Sequence, residues 1–222
     1  MAIPVAPMAL PAADDDNGGQ FTTHHVVDTH VRGKALSVVY TNNPVSVESS
    51  IQTMEQFLAK DKYQVVSFDL EYIIGHVGHD QKVVVAQLCV RHDVLFYHYH
   101  LATRPCECFS RFINSSDYMD TTNDLKALKV SGLKCPNLVN IQHHYKVSGS
   151  NNNKLNSLVD LASAIIDPYY MKMKNESKKD KNAWHSVWHE RLDEQHVKYT
   201  AKDAYTSYEM YMQIVDMMKC LL

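Results

Sequence analysis

Residues 64–97 run QVVSFDLEYIIGHVGHDQKVVVAQLCVRHDVLFY, and their patterning decides the fold. The first nine, QVVSFDLEY, alternate apolar and polar residues from Val66 to Tyr72 with the period of a strand. After the gap IIGHVGHDQK come two more apolar runs, VVVAQLCV and VLFYHY, separated only by Arg91-His92-Asp93. Three successive strands with short links make an antiparallel meander at the front of a sheet.

Working outward toward the N-terminus, THHVVDTHV and KALSVVYTN are rich in β-branched residues and flank Arg32-Gly33-Lys34. They read as an antiparallel hairpin. Ile51, Met54, Phe57 and Leu58 are spaced as one face of a helix over 46–60. Downstream, helical spacing replaces the β runs, and helices are expected over 107–114, 124–131, 156–165, 184–191 and 193–220. The expectation is an α/β fold, a mixed β-sheet flanked by α-helices with an N-terminal antiparallel β-hairpin.

The chain has 222 residues, 45% hydrophobic and 21% charged, enough to bury one core of about domain size. Residues 1–20, whose Ala/Pro-rich start runs into Asp14-Asp15-Asp16 and Gly18-Gly19, read as a disordered arm, and 21–222 as one domain. The arm lacks a basic n-region and is broken by Pro4, Pro7 and Pro11, which argues against a secretory signal. No apolar run approaches the roughly 20 residues that cross a bilayer, so no membrane partner is expected. Five cysteines without CxxC spacing favour a reducing compartment, nucleus or cytoplasm. A net charge of -3 provides no bulk basic field for a nucleic-acid duplex, so any phosphate contact must be local.

Asp69 and Glu71 are the first residues with chemical potential. Two apart on a strand, they share a face with Ser67, while Val66, Phe68 and Leu70 share the other. A solvated strand face would explain them singly, yet strands beside runs this apolar are usually central. Tyr199 and Asp203 lie four apart on the long helix, at the edge of a stripe formed by Val197, Ala201, Ala204, Tyr208, Tyr211, Met212 and Val215. Lys198, Lys202, Thr206, Glu209, Gln213 and Asp216 form its polar face. An ordinary boundary Asp beside a packed Tyr would explain this pair alone, but a partly buried carboxylate wants a cation or donors.

VVSFDLEY, VVVAQLCV, NDLKAL, SLVDLA, NAW and YTAKDAYTSYEMY follow one another in an order that resembles the DEDDy subtype of the DEDD 3'-5' exonucleases. More closely it is similar to the Werner syndrome-type exonuclease domain and its stand-alone plant relatives. The resemblance implies an RNase H-like fold and a metal-dependent 3'-5' exonuclease that hydrolyses phosphodiester bonds at 3' ends. It implies Asp69, Glu71, Asp124 and Asp203 as ligands of two Mg²⁺ or Mn²⁺ ions, with Tyr199 orienting the attacking water. Carboxylate oxygens suit such hard cations, and two ions about 3.5–4 Å apart can activate water and stabilise the leaving oxygen.

One segment departs from the family pattern. The approach to the second motif, FINSSDYMDTTND, is short and polar with no β run, so Asp117 and Asp120 compete with Asp124. Asp124 directly precedes Leu125 and Leu128, a helix start that supports a carboxylate. Lys178, Lys179 and Lys181, in a local basic stretch with Lys172 and Lys174, are the candidates for phosphate contact. The implied partner is single-stranded nucleic acid or a 3' end, DNA or RNA, and a homo-oligomer is compatible with the sequence. Two other classes remain open. One is a catalytically inactive exonuclease-fold module that binds nucleic acid or protein. The other is a zinc-binding protein using Cys106 and Cys108 or the i, i+4 pair His185 and His189. His76, His79, His98, His100, His143 and His144 are expected on polar surfaces or loops.

Overall fold

The computed structural model of the chain describes residues 14–15, 19–29, 31, 33–73, 82–115, 125–136, 141–144, 157–171 and 188–219. Among them a six-stranded mixed sheet has the spatial order β1-β2-β3-β6-β5-β4. Its strands are β1 (Asp14–Asp15), β2 (Phe21–Asp28), β3 (Ala35–Thr41), β4 (Ser67–Ile73), β5 (Lys82–Val90) and β6 (Asp93–Tyr97). The expected hairpin is β2–β3, antiparallel from Thr22↔Thr41 to Asp28↔Ala35, with Gly33 at φ +63° in the turn. There the left-handed backbone favours a residue without Cβ. The expected meander is β4–β5–β6, antiparallel throughout. Only Arg91 and His92 link its last two strands. β3 pairs in parallel with β6, which makes the sheet mixed.

Helices cover both faces. On one side lie α1 (Pro44–Leu58) and α2 (Glu107–Ile113). α1 begins two residues before 46 because Asn43 caps it, its side chain accepting from Val45 N at 2.9 Å, with Pro44 in the first turn. Val47, Ile51, Met54 and Leu58 of α1 pack with Phe109 and Phe112 of α2 against Phe68, Leu70, Leu88 and Leu95. On the other side the long helix α6 (Glu194–Lys219) lays Val197, Ala201, Ala204, Tyr205 and Tyr208 against Leu36, Val38, Val85, Cys89 and Phe96. Three further helices are α3 (Leu125–Val130), α4 (Ile141–His144) and α5 (Leu158–Ile165). α5 carries a capping box between Ser157 and Asp160 and packs Leu161 and Ala162 with Met210 of α6.

Three expectations are corrected. Residues 188–190 form a turn and bend and 191 is irregular, not the end of a helix, while 184–187 lie outside the described residues; the next helix starts only where Asp193 caps α6 by accepting from Gln195 N and His196 N, each at 2.9 Å. The polar face of α6 is not solvated throughout, since Thr206 and Glu209 are buried. Glu209 accepts from Lys34 Nζ at 3.2 Å, Tyr205 Oη at 3.0 Å and Gln213 Nε2 at 3.1 Å, which satisfies a charge that burial alone would penalise. His98 does lie in the link after β6 but is fully buried there, with Tyr40 Oη meeting its Nδ1 at 2.8 Å. No described helix is long and apolar enough to cross a membrane.

The two ends of the hairpin are tied by one side chain. Buried Asn42 accepts from Phe21 N at 2.7 Å and donates through Nδ2 to Gly19 O and Leu101 O, both at 3.0 Å. Asn42→Ala removes three bonds and strands their partners, so urea denaturation should show a loss of about 3 kcal/mol. A loss well under about 1 kcal/mol would contradict this role.

Candidate functional site

The carboxylate face of β4 follows from its alternation. Phe68 and Leu70 sit in the core under α1 and α2, so Ser67, Asp69 and Glu71 turn toward α6. β4 and β5 lose register between Glu71 and Tyr72, with Glu71 opposite Val85 and Tyr72 opposite Val83. The extra residue, Val84, joins Val85 in the core on the α6 side. Such a bulge re-aims the strand just past the acidic pair.

α6 brings the second pair. Tyr199 and Asp203 stand one turn apart, and the Tyr199 hydroxyl is hydrogen-bonded to the Asp203 carboxylate. Asp69, Glu71 and Asp203 are half-buried, and Tyr199 is 37% exposed. Four residues from two distant parts of the sequence thus share one pocket of electrostatic potential.

Their ionisation reflects that crowding. Burial pushes the Asp69 carboxyl up to about 6, opposed by the Leu70 N–H that donates to Oδ1 at 3.0 Å. Burial also raises Asp203, and the Asp69 charge raises it further, to about 7, against the hydrogen bond from Tyr199. Tyr199 is pushed well above the ordinary phenol range, first by the Asp203 charge and then by burial, with Glu71 and Asp69 adding to it. Carboxylates that repel one another in a half-buried site are held ionised by cations.

The donor set is oxygen only, which fits a hard divalent cation rather than zinc. Among the described residues no group of three or more His, Cys, Asp or Glu stands close enough to hold a metal. Asp69, Glu71 and Asp203 are oxygen donors that could supply part of a ligand shell. Asp124, with its competitors Asp117 and Asp120, lies outside the described residues, as do Lys172, Lys174, Lys178, Lys179 and Lys181. The zinc alternatives find no support in the described residues. Cys106 and Cys108 are buried, with Cys106 Sγ directed at Pro44 O. His189 lies in a turn, and His185 is outside the described residues.

Sequence reading passed over one neighbour of this site. Gln87, on β5, stands directly opposite Asp69 and is completely buried. Its signal was a lone amide inside the apolar run VVVAQLCV. A cavity of about 370 Å³, lined by Thr22, Ser37, Ser46, Ser50 and Asp93 among others, opens on the α1 side of the sheet and is not lined by Asp69, Glu71 or Asp203.

A family model for 3'-5' exonuclease matches residues 44–219. No curated protein matches the chain. Among solved structures it is similar to the EXO domain of Aedes aegypti Nibbler, at 16% identity over 78% of this chain and 85% of that one, with a TM-score of 0.53. It is also similar to Trypanosoma brucei RNase D in complex with GMP, at 16% identity, 80% and 56% coverage and a TM-score of 0.57. Escherichia coli RNase D, an exoribonuclease involved in structured RNA processing, gives 16% identity, 75% and 43% coverage and a TM-score of 0.52. The chain spans 85% of the Nibbler domain but only about half of either RNase D chain. At this identity the likeness is one of fold, an α/β sheet flanked by helices as in the RNase H-like exonucleases.

Proposed function

We propose that this chain, which belongs to the 3'-5' exonuclease family, trims single-stranded DNA or RNA from the 3' end and releases nucleoside monophosphates. The observation that carries the proposal is the meeting of Asp69 and Glu71 from β4 with Tyr199 and Asp203 from α6. Asp69, Glu71 and Asp203, with Asp124 supplying the remaining carboxylate, would hold two Mg²⁺ or Mn²⁺ ions. Such ions supply water activation and charge stabilisation at the leaving 3'-oxygen.

The rest of the chemistry belongs to the side chains. Tyr199 donates its one hydroxyl proton to Asp203 and is kept protonated by the surrounding negative charge, which leaves its oxygen as an acceptor. It orients the attacking water, whose oxygen bonds to phosphorus as the bond to the 3'-oxygen breaks. β4 and α6 hold these groups on rigid elements, which favours orientation over encounter. Lys178, Lys179 and Lys181 would contact substrate phosphates, a local attraction suited to a chain of net charge -3. The order of motifs supports the finer reading as a Werner-type domain, and the five cysteines without CxxC spacing support its acting in the nucleus or cytoplasm.

Purified protein incubated with 3'- and 5'-labelled DNA and RNA strands should shorten them from the 3' end in Mg²⁺ or Mn²⁺ and leave them intact in EDTA. Trimming that persists in EDTA, or is restored by Zn²⁺ alone, overturns the proposal. The lack of a three-ligand group among the described residues favours one second reading, a binding module. Strand binding without cleavage would establish it.

A further inference from the structure

We infer that Gln87 is a positioning residue that donates a hydrogen bond to the Asp69 carboxylate when the site holds its cations, an inference that rests on the metal-dependent reading above. Gln87 and Asp69 are register partners across the β4–β5 ladder. Directly opposed side chains project to the same face with Cβ atoms about 4.5–5.5 Å apart. That face is the α6 side, because Ala86 and Leu88 belong to the core under α1 while Val85 and Cys89 belong to the core under α6.

The Gln87 amide has no exposure, and neither Nε2 nor Oε1 has a hydrogen-bond partner. Its other register partner, on β6, is Phe96, which has no polar side-chain atom. Asp69 is therefore the polar group next to it across either ladder. Ser67, two residues before Asp69 on the same face, has a buried Oγ that is also unpartnered. A buried amide left unsatisfied is destabilising, and Leu or Met would fill similar volume without that cost. An orphaned amide in a strand otherwise made of Val, Ala, Leu and Cys calls for a physical account.

Loading of the site supplies that account. In the metal-free site Asp69 Oδ1 takes a hydrogen bond from Leu70 N at 3.0 Å and the Gln87 amide beside it stays unpartnered among the described residues. A bound cation would fix the orientation of the Asp69 carboxylate, with Nε2 of Gln87 the donor directly across the ladder. Partners of this kind fix the orientation of a metal-ligating carboxylate, and their loss typically costs 10–100-fold in metal affinity.

The test measures Mn²⁺ binding and the metal-free melting temperature of the full chain as wild type, Gln87→Leu and Gln87→Met. Both variants should melt at or above the wild-type temperature without metal, and both should raise the Mn²⁺ concentration at half-saturation about tenfold. Folded variants with wild-type Mn²⁺ affinity would overturn the inference. So would a lowered melting temperature in both, which would make Gln87 a core-packing amide. If one variant fails to fold, the other decides. Wild-type protein that binds no Mn²⁺ would remove the metal-dependent reading itself, and this inference with it.

Discussion

Asp203→Asn is expected to slow 3'-end trimming by about 10³-fold or more, the scale set by losing a group that stabilises developing charge, while the metal-free protein stays at least as stable as wild type. The two halves of this expectation have one cause. Asp203 is half-buried, faces Asp69 and is pushed up to about 7 by burial and that repulsion. Asparagine keeps an oxygen that accepts from Tyr199 but removes the charge, so the empty site loses a repulsion and the loaded site loses a ligand. Tyr199→Phe should behave differently, because the phenol is placed to orient water rather than to hold a cation. Its rate should fall by about 10²-fold, within the range for positioned proton-transfer groups, with Mn²⁺ affinity close to wild type. Trimming rates and Mn²⁺ titrations on both variants separate the roles. Equal loss of Mn²⁺ affinity in the two would contradict the assignment, as would an Asp203→Asn rate within about tenfold of wild type.

How much of this site was legible in the sequence depended on whether local periodicity determined the answer. Alternation alone put Asp69 and Glu71 on one face, and Phe68 and Leu70 do fill the opposite core. Helical spacing placed Tyr199 and Asp203 on one edge of α6, and the electrostatic contact among them agrees. What periodicity could not carry was pairing over long sequence separations. Glu209 falls on the polar arc of a helical wheel, yet it is buried because Lys34, from the hairpin turn, reaches it. His98 follows an apolar strand and looked like a loop residue, but Tyr40 of β3 lies against it. Gln87 gains its meaning only from its register with Asp69, which a bulge two residues further along could have shifted by one and turned to the other face. Asp124 belongs to the residues outside the described set, so its competition with Asp117 and Asp120 stands as the sequence left it.

His98 leads to the second large expectation, a loss of stability in mild acid. The imidazole is fully buried, and burial, followed by the neighbouring His100, pulls it down from 6.5 to about 4. Tyr40 Oη accepts from Leu192 N at 2.9 Å and lies 2.8 Å from His98 Nδ1. With that hydroxyl donating onward, Nδ1 must be the unprotonated acceptor. On the far side Nε2 makes no hydrogen bond of normal geometry, so the Trp188 backbone, which pulls the pKa upward, is too poorly placed to offset burial.

The folded pKa lies below that of the free group, so the unfolded chain takes up the proton first as pH falls. The stabilisation is complete above about pH 6.5, declines between 6.5 and 4, and is flat below. Its full size is about 3 kcal/mol, and about 2 kcal/mol is gone by about pH 5. Urea denaturation of wild type and His98→Gln at pH 7.5 and pH 5 should show wild type losing about 2 kcal/mol more than the variant over that interval. Parallel pH profiles would exclude His98 as the cause. The consequence reaches the site because Leu192, anchored through Tyr40, lies two residues before α6 begins. Protonating His98 puts a hydrogen on Nδ1, so the Tyr40 hydroxyl can no longer donate there and its oxygen must accept from Nδ1 and Leu192 N together, which weakens the seat of the helix that carries Tyr199 and Asp203 against β4.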